Sequence, residues 1–304
     1  MEQVWLVGVA LLGGALRTSV PYLFVSLGEC LTERAGRINL GNEGAMVLGA
    51  MAGYALSYNT GSPWVGVLAA LGVGALIGAL HAALCHLPRV SDVAVGIAIM
   101  LAATGAAFYF GKPYIQPVAP SLPPLSLGFA LDNAELRRAL DVTPLLPLGM
   151  LTGVIMAWYL KNTRSGLRLR IVGESRDAAL AMGLSIFRTR LSATMIGSAL
   201  AGVGGASLSL SYPGIWSEGL SSGQGLMAVS LVIFARWNPL GCIAASYLFG
   251  AASALGPALQ TVGISSGYHL ANAAPYVLTL AVMLLTVSPG KALKGGPGEL
   301  SAIR

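Results

Sequence analysis

The chain has 304 residues, of which 55% are hydrophobic and only 10% charged, and its formal net charge is +6. A soluble domain is about 25% charged, so this composition, with a mean hydropathy of +0.73, excludes a soluble enzyme or an appended soluble domain of any size. Apolar runs of ~17–25 residues, the length that crosses ~30 Å of hydrocarbon as helix, recur from end to end and define an all-α polytopic membrane protein. The domain expectation is one transmembrane unit over 1–304.

Hydropathy and Gly/Pro punctuation place spans near residues 4–28, 38–58, 64–87, 93–111, 143–160, 191–212, 223–235, 240–256 and 270–287. The uncertain segments set the expected count at eight to ten. Met1-Glu2-Gln3 leads directly into the first run, without the basic flank and small-residue cleavage site of a secretory signal, so that run reads as a retained span. It contains Arg17 and Pro21. An unpaired arginine at mid-membrane costs at least ~2.5–3.5 kcal/mol, so Arg17 is expected to face protein or water; the alternative is a break in the span there.

Glu43 opens the second span, where a carboxylate favours a helix N-terminus. The expected role is structural, with pairing to Arg34 or Arg37; proton or ion coupling in a secondary transporter is the alternative. Gly49-x-x-x-Gly53, Gly74-x-x-x-Gly78 and the small-residue stretch 197–206 read as seams where helices of this chain approach closely. The external segment 112–142 holds Pro113, Pro117, Pro120, Pro123 and Pro124, which keep its first half from being helical. A short surface helix capped by Asp132 or Asn133 is expected in its second half.

Residues 161–190 form a charged island with seven cations and two anions, so most of the chain's net charge sits in one loop. Ser175 or Asp177 reads as a helix cap, Ala178 to Met182 as helix, and Gly183 as its left-handed terminator. With this loop placed in the cytoplasm, fourteen of the eighteen Lys/Arg fall inside, and only Lys112, Arg137 and Arg138 outside. The N-terminus is then outside and the C-terminus inside. Residues 223–235 are too short to cross unaided and end at Arg236-Trp237-Asn238-Pro239, which reads as a discontinuous helix pair. Glu43-Gly44-Ala45-Met46 and Gln224-Gly225-Leu226-Met227 open segments of opposite direction, which raises an inverted repeat as an expectation.

Catalytic signatures are absent. There is no phosphate-cradling G-x-x-x-x-G-K-[ST], H-E-x-x-H or G-x-S-x-G. Cys30, Cys85 and Cys242 lack metal-ligand spacing and read as packing residues. No cofactor, metal or nucleic-acid partner is expected. His81 and His86 are five apart, on different helix faces.

Asp177-Ala178-Ala179-x3-Gly183 resembles the Glu-Ala-Ala-x3-Gly core of the cytoplasmic loop with which ABC importer permeases engage their ATPases, with Asp for Glu. The stretch from Gly166 through Arg168, Arg170, Gly173 and Glu174 to Gly183 is similar to the branched-chain amino acid, ribose and nucleoside permease group. So are Gly28-Glu29 through Asn42-Glu43-Gly44, Arg236-Trp237-Asn238-Pro239-Leu240-Gly241 and Pro275 through Leu280, in the same order. Within that group the pattern is most similar to nucleoside uptake permeases.

The resemblance implies a non-enzymatic transport subunit in a bacterial inner membrane. Its implied partners are a separate ATPase, a second and different permease chain, and an external substrate-binding lipoprotein. The implied solute is a nucleoside or nucleobase, with a sugar or branched-chain amino acid as the alternative. Arg168, Arg170, Gly173, Glu174, Asp177, Ala178, Ala179 and Gly183 are the implied ATPase-coupling residues. The pathway candidates are Asn39, Asn42 and Glu43 at one span start, and Ser209, Ser211, Tyr212, Trp216 and Gln224 around the discontinuous segment, with Ser207 beside them. Aromatic faces suit a nucleobase and hydroxyls a ribose. For Trp216, a place in the interfacial aromatic belt is the preferred reading.

Overall fold

The computed structural model describes residues 2–128, 133–261, 268–286 and 295–301. Its helices are α1 (Glu2–Arg34), α2 (Asn42–Thr60), α3 (Pro63–Leu84), α4 (Asp92–Gly111), α5 (Ala134–Ala139), α6 (Leu145–Asn162), α7 (Arg164–Glu174), α8 (Arg176–Ala181), α9 (Ile186–Leu210), α10 (Gln224–Phe234), α11 (Pro239–Gln260), α12 (Tyr268–Asn272), α13 (Ala274–Thr286) and α14 (Gly298–Ser301). A two-residue ladder, β1 (Leu125–Ser126) antiparallel to β2 (Asp141–Val142), is the sheet content among the described residues. Five helices are long and apolar enough to cross a membrane by length and composition: α1, α3, α4, α9 and α11. α2 packs on α3 and α9, and α10 and α13 are shorter apolar helices. The protein is an all-α, multi-pass membrane protein.

α1 and α9 are the central posts. From Ser19 to Glu33 every α1 residue is buried, against α9, α10 and α11, whereas α3, α4 and α6 turn Leu68, Leu76, Leu101, Phe110, Leu151 and Trp158 outward. In a membrane protein such exposed leucines are a lipid face rather than a defect. α1 stays continuous through Pro21, so the break considered for the first span does not occur. Arg17 faces protein as expected: its Nε donates to the Asp141 carbonyl at 3.1 Å and its Nη2 to the Arg138 carbonyl at 2.6 Å.

The glycine seams are contacts within the chain. A Cβ placed on Gly205 of α9 would stand 1.9 Å from the Met46 carbonyl oxygen of α2, and one on Gly202 would stand 2.1 Å from that of Ala70 of α3. Gly74 and Gly78 press on the carbonyls of Ser198 and Thr194 in the same way, at 2.2 and 2.4 Å. Lipid gives helices little apolar driving force to associate, so backbone approach supplies dispersion contacts instead.

Apart from a 3₁₀ turn at Lys112–Tyr114, the proline-rich first half of the 112–142 segment is irregular as expected. It is pinned where the Tyr54 and Ser57 hydroxyls donate to the Pro117 and Pro120 carbonyls, both at 2.8 Å. Asn133 caps α5, its Oδ1 accepting from the Glu135 and Leu136 amides; Asp132 lies outside the described residues. The three cysteines are free and buried. They are packing residues.

Candidate functional site

The charged island folds into two helices rather than one. Thr163 caps α7 through the Gly166 amide, and Leu169, Val172 and Gly173 turn inward. Gly173 sits where a Cβ would lie 2.1 Å from the Arg34 carbonyl oxygen, so α7 rests directly on the end of α1. Ser175, not Asp177, caps α8 by accepting from the Ala178 amide at 3.3 Å. Gly183, at φ +68°, closes α8 with a Schellman pair: its amide donates to the Leu180 carbonyl, and the Leu184 amide to that of Ala179.

The eight coupling candidates therefore divide. Arg168, Arg170, Glu174, Asp177, Ala178 and Gly183 are exposed, whereas Gly173 and Ala179 are buried and seat the helices. Sequence reasoning missed the apolar part of this face. Leu180 is 56% and Met182 62% exposed, with Leu167 beside α7's arginines also outward. Apolar residues outside the bundle with a rim of arginines are what a protein partner needs: an anchor and an electrostatic guide. Arg190, counted in the island, is instead buried inside α9 and bonded to the Ala35 carbonyl and to Glu299.

A second polar assembly lies within the bundle. Glu29 is 0% exposed; its Oε1 accepts from the Asn39 amide at 2.9 Å and its Oε2 from Asn42 Nδ2 at 2.6 Å. Asn39 also donates to Asn42 and to the Ser198 hydroxyl, which returns a bond to Asn42. Glu33, one turn further along α1, accepts from the Trp237 indole N–H at the break between α10 and α11. Backbone φ is +52° at Arg236 and +54° at Trp237, so the chain reverses there, as the discontinuous helix pair requires.

Glu43 does not pair with either arginine. Arg34 donates to the Trp237 carbonyl at 2.8 Å, and Arg37 is bound to Asp92 and to the Cys85 carbonyl. Glu43 instead accepts from the Ser221 hydroxyl at 2.5 Å and from the Gly223 and Gly225 amides at 3.2 and 2.6 Å. Those amides belong to the N-terminus of α10, whose unsatisfied donors and positive dipole end favour a carboxylate. Gly44 packs on Met100 and Ala103, eight to eleven residues into α4, or about 12–17 Å along its axis. Glu43 thus sits beside the middle of α4, where the starts of α2 and α10 meet. The two similar tetrapeptides at 43–46 and 224–227 are juxtaposed N-terminus to N-terminus.

The pathway candidates separate into several places. Asn39 and Asn42 belong to the Glu29–Ser198 network, whereas Glu43 and Gln224 lie at the start of α10, with the Gln224 Oε1 buried and unbonded. Ser211 and Tyr212, with Ser207, line a cavity of about 200 Å³ whose other polar walls are Arg17, Asp141 and Thr143. Ser209 and Trp216 are packing residues: the Ser209 hydroxyl donates to the Ala50 carbonyl, and the Trp216 indole, 1% exposed, donates to that of Gly111. The aromatic-belt reading of Trp216 is thereby corrected, because its ring fills the space under Gly111. Among the described residues no group of three or more His, Cys, Asp or Glu side chains is placed to hold a metal ion.

Residues 11–287 match the family described as "Branched-chain amino acid transport system / permease component". The chain belongs to that permease family. It is 31% identical to the nucleoside ABC transporter permease protein NupC of Lactococcus lactis over 90% of each chain. It is 30% identical to the guanosine ABC transporter permease protein NupQ of Bacillus subtilis, again over 90% of each. A permease protein named for glucose ABC transport, TsgC13 of Haloferax volcanii, is 32% identical over 84% of this chain and 79% of its own. The permease is therefore an ABC transport subunit and not itself an enzyme.

Its central carboxylate gives a direct test. Glu43 holds α10 in place, so Glu43→Gln should keep transport and its pH profile while lowering thermal stability. The loss should be about 1–3 kcal/mol, because the replaced oxygen no longer accepts the Gly225 amide. Uptake by the variant across pH 5.5–8 checks this; a live variant whose uptake no longer varies with pH would make Glu43 the coupling group instead.

Proposed function

We propose that this permease imports a nucleoside or nucleobase into a bacterial cell, powered by ATP hydrolysis in a separate ATPase subunit docked on α7 and α8. The observation that carries the coupling half is the exposed Leu180 and Met182 at the end of α8, with exposed Arg164, Arg168 and Arg170 on α7, Arg176 at the start of α8 and Arg188 in the first turn of α9. That segment is cytoplasmic in this reading, as is the C-terminus. A second permease chain of different sequence completes the pathway, an external lipoprotein delivers the solute, and the chain itself carries no cofactor.

The nucleoside half is supported by the two relatives whose names specify nucleosides, each matched over 90% of its length. The cavity beside Tyr212 suits the same chemistry. Ser207, Ser211 and Thr143 present hydroxyls, Arg17 a guanidinium and Tyr212 a ring, groups that match a ribose and a heteroaromatic base. A sugar is the second reading, favoured by the relative named for glucose.

Uptake competition separates the two. Cells expressing the full system take up labelled guanosine or adenosine, and unlabelled nucleosides, glucose and leucine compete. Nucleosides should suppress uptake at micromolar concentration, with glucose and leucine inert at a hundredfold excess. Labelled glucose uptake unaffected by nucleosides would establish the sugar reading instead.

A further inference from the structure

One carboxylate near the C-terminus ties together the parts of the coupling face. Glu299, in α14, accepts from the backbone amide of Arg176 through Oε1 and from Arg190 Nη2 through Oε2, both at 2.9 Å. The first bond holds the first residue of α8; the second holds α9, whose Arg190 also donates through Nε to the Ala35 carbonyl at 3.1 Å. Gly36, at φ +79°, lies beneath: a Cβ there would stand 2.8 Å from the Glu299 Cβ and 3.1 Å from the Gly173 Cα. The backbone of α14 is equally close, since a Cβ on Gly298 would meet the Glu174 carbonyl oxygen at 2.5 Å. Leu300 packs onto the main core. Thus α1's exit, α7's end, α8's start and α9's first turns converge on one side chain.

We infer that residues 295–301 form a strap and that Glu299 is a positioning residue for coupling, which rests on the reading that an ATPase docks on α7 and α8. α8 is six residues long, far below the ~12–15 needed for a helix to hold by itself. Its outer face is given to the partner, so its orientation depends on what grips it from behind. Ala179 and the Glu299 bond to Arg176 supply that grip. The Arg190 pair adds a charge-assisted, partly buried bond, with side-chain exposures of 11% and 22%, so solvent screens it only in part. A push on α8 then travels into α9 and α1, the central posts, rather than swinging α8 on its single-residue hinge at Ser175.

The test uses the complete importer in proteoliposomes and measures solute transported per ATP hydrolysed. Glu299→Ala should still purify with the ATPase and hydrolyse ATP, while transport per ATP falls about tenfold, the factor expected when one charge-assisted bond stops favouring the docked arrangement. Glu299→Gln keeps the acceptor for the Arg176 amide but loses the ion pair, and should fall between. A wild-type ratio in Glu299→Ala overturns the inference. So does a wild-type ratio in Glu299→Gln where the alanine variant fails to assemble. Failure of the coupling reading looks different: the unaltered chain would then show no ATP-dependent transport at all.

Discussion

Replacing Leu180 and Met182 together by aspartate should detach the ATPase while leaving the membrane bundle intact. Both side chains are largely exposed, so the folded permease loses little by the change. The partner loses its apolar anchors and meets new carboxylates. Truncating anchors of this kind costs about 2–4 kcal/mol, so binding should weaken about 30- to 1000-fold. Co-purification of the tagged permease with its ATPase from detergent reads this directly, and undiminished recovery would remove α8 as the docking element. Replacing Arg168 by glutamine should act more mildly, since a rim charge tunes association rate and salt dependence more than affinity.

The second large effect concerns the seams. Gly205→Val would drive a side chain into the Met46 carbonyl, which the Cβ alone would meet at 1.9 Å. Both neighbours are backbone, so no rotamer relieves the clash and α2 must move off α9. Overpacking typically costs 1–3 kcal/mol, occasionally more, and a rigid helix pair leaves little room to relax. Folded protein should fall at least several-fold, measured by fluorescence-detected size exclusion in detergent. Gly72→Val on α3 is the matched control, because nothing lies within 4 Å of its Cβ position; its yield should match the unaltered chain. Equal yields from both variants would mean that α2 and α9 are not in backbone contact.

These seams were legible in the sequence because small residues at four-residue spacing mark a helix face wherever it packs. The apolar helices were legible for a similar reason, since apolar length is a local property, although five of them rather than the expected eight to ten are long and apolar enough to cross a membrane. The short 223–235 segment, too brief to cross and ended by Arg236-Trp237-Asn238-Pro239, is α10 and the reversal that follows it. Gly183 announced the end of α8 because only glycine takes that backbone conformation freely.

What escaped sequence reading is of another kind. Glu29 and Glu33 fall just past the first predicted span, and their role is set by partners far along the chain, such as Trp237, 204 residues from Glu33. The same holds for Glu43, whose nearest positive neighbours in sequence were the wrong partners. It was the N-terminus of α10, some 180 residues on, that received the carboxylate. Glu299 is likewise 109 residues from Arg190. Leu180 and Met182 were read as helix-propagating residues, because a six-residue helix shows no period from which an exposed apolar face can be told. Trp216 was read from its residue type, and packing under Gly111 overrode that preference.

Energy supply is the central claim, and reconstitution tests it most directly. Vesicles are loaded with ATP and hold the permease, its companion permease and the ATPase, with binding protein and labelled nucleoside outside and the cytoplasmic face of the permease inside. Label should accumulate above its external concentration only when the ATPase and hydrolysable ATP are both present, and omitting either should abolish it. Accumulation by the permease without the ATPase would contradict the account.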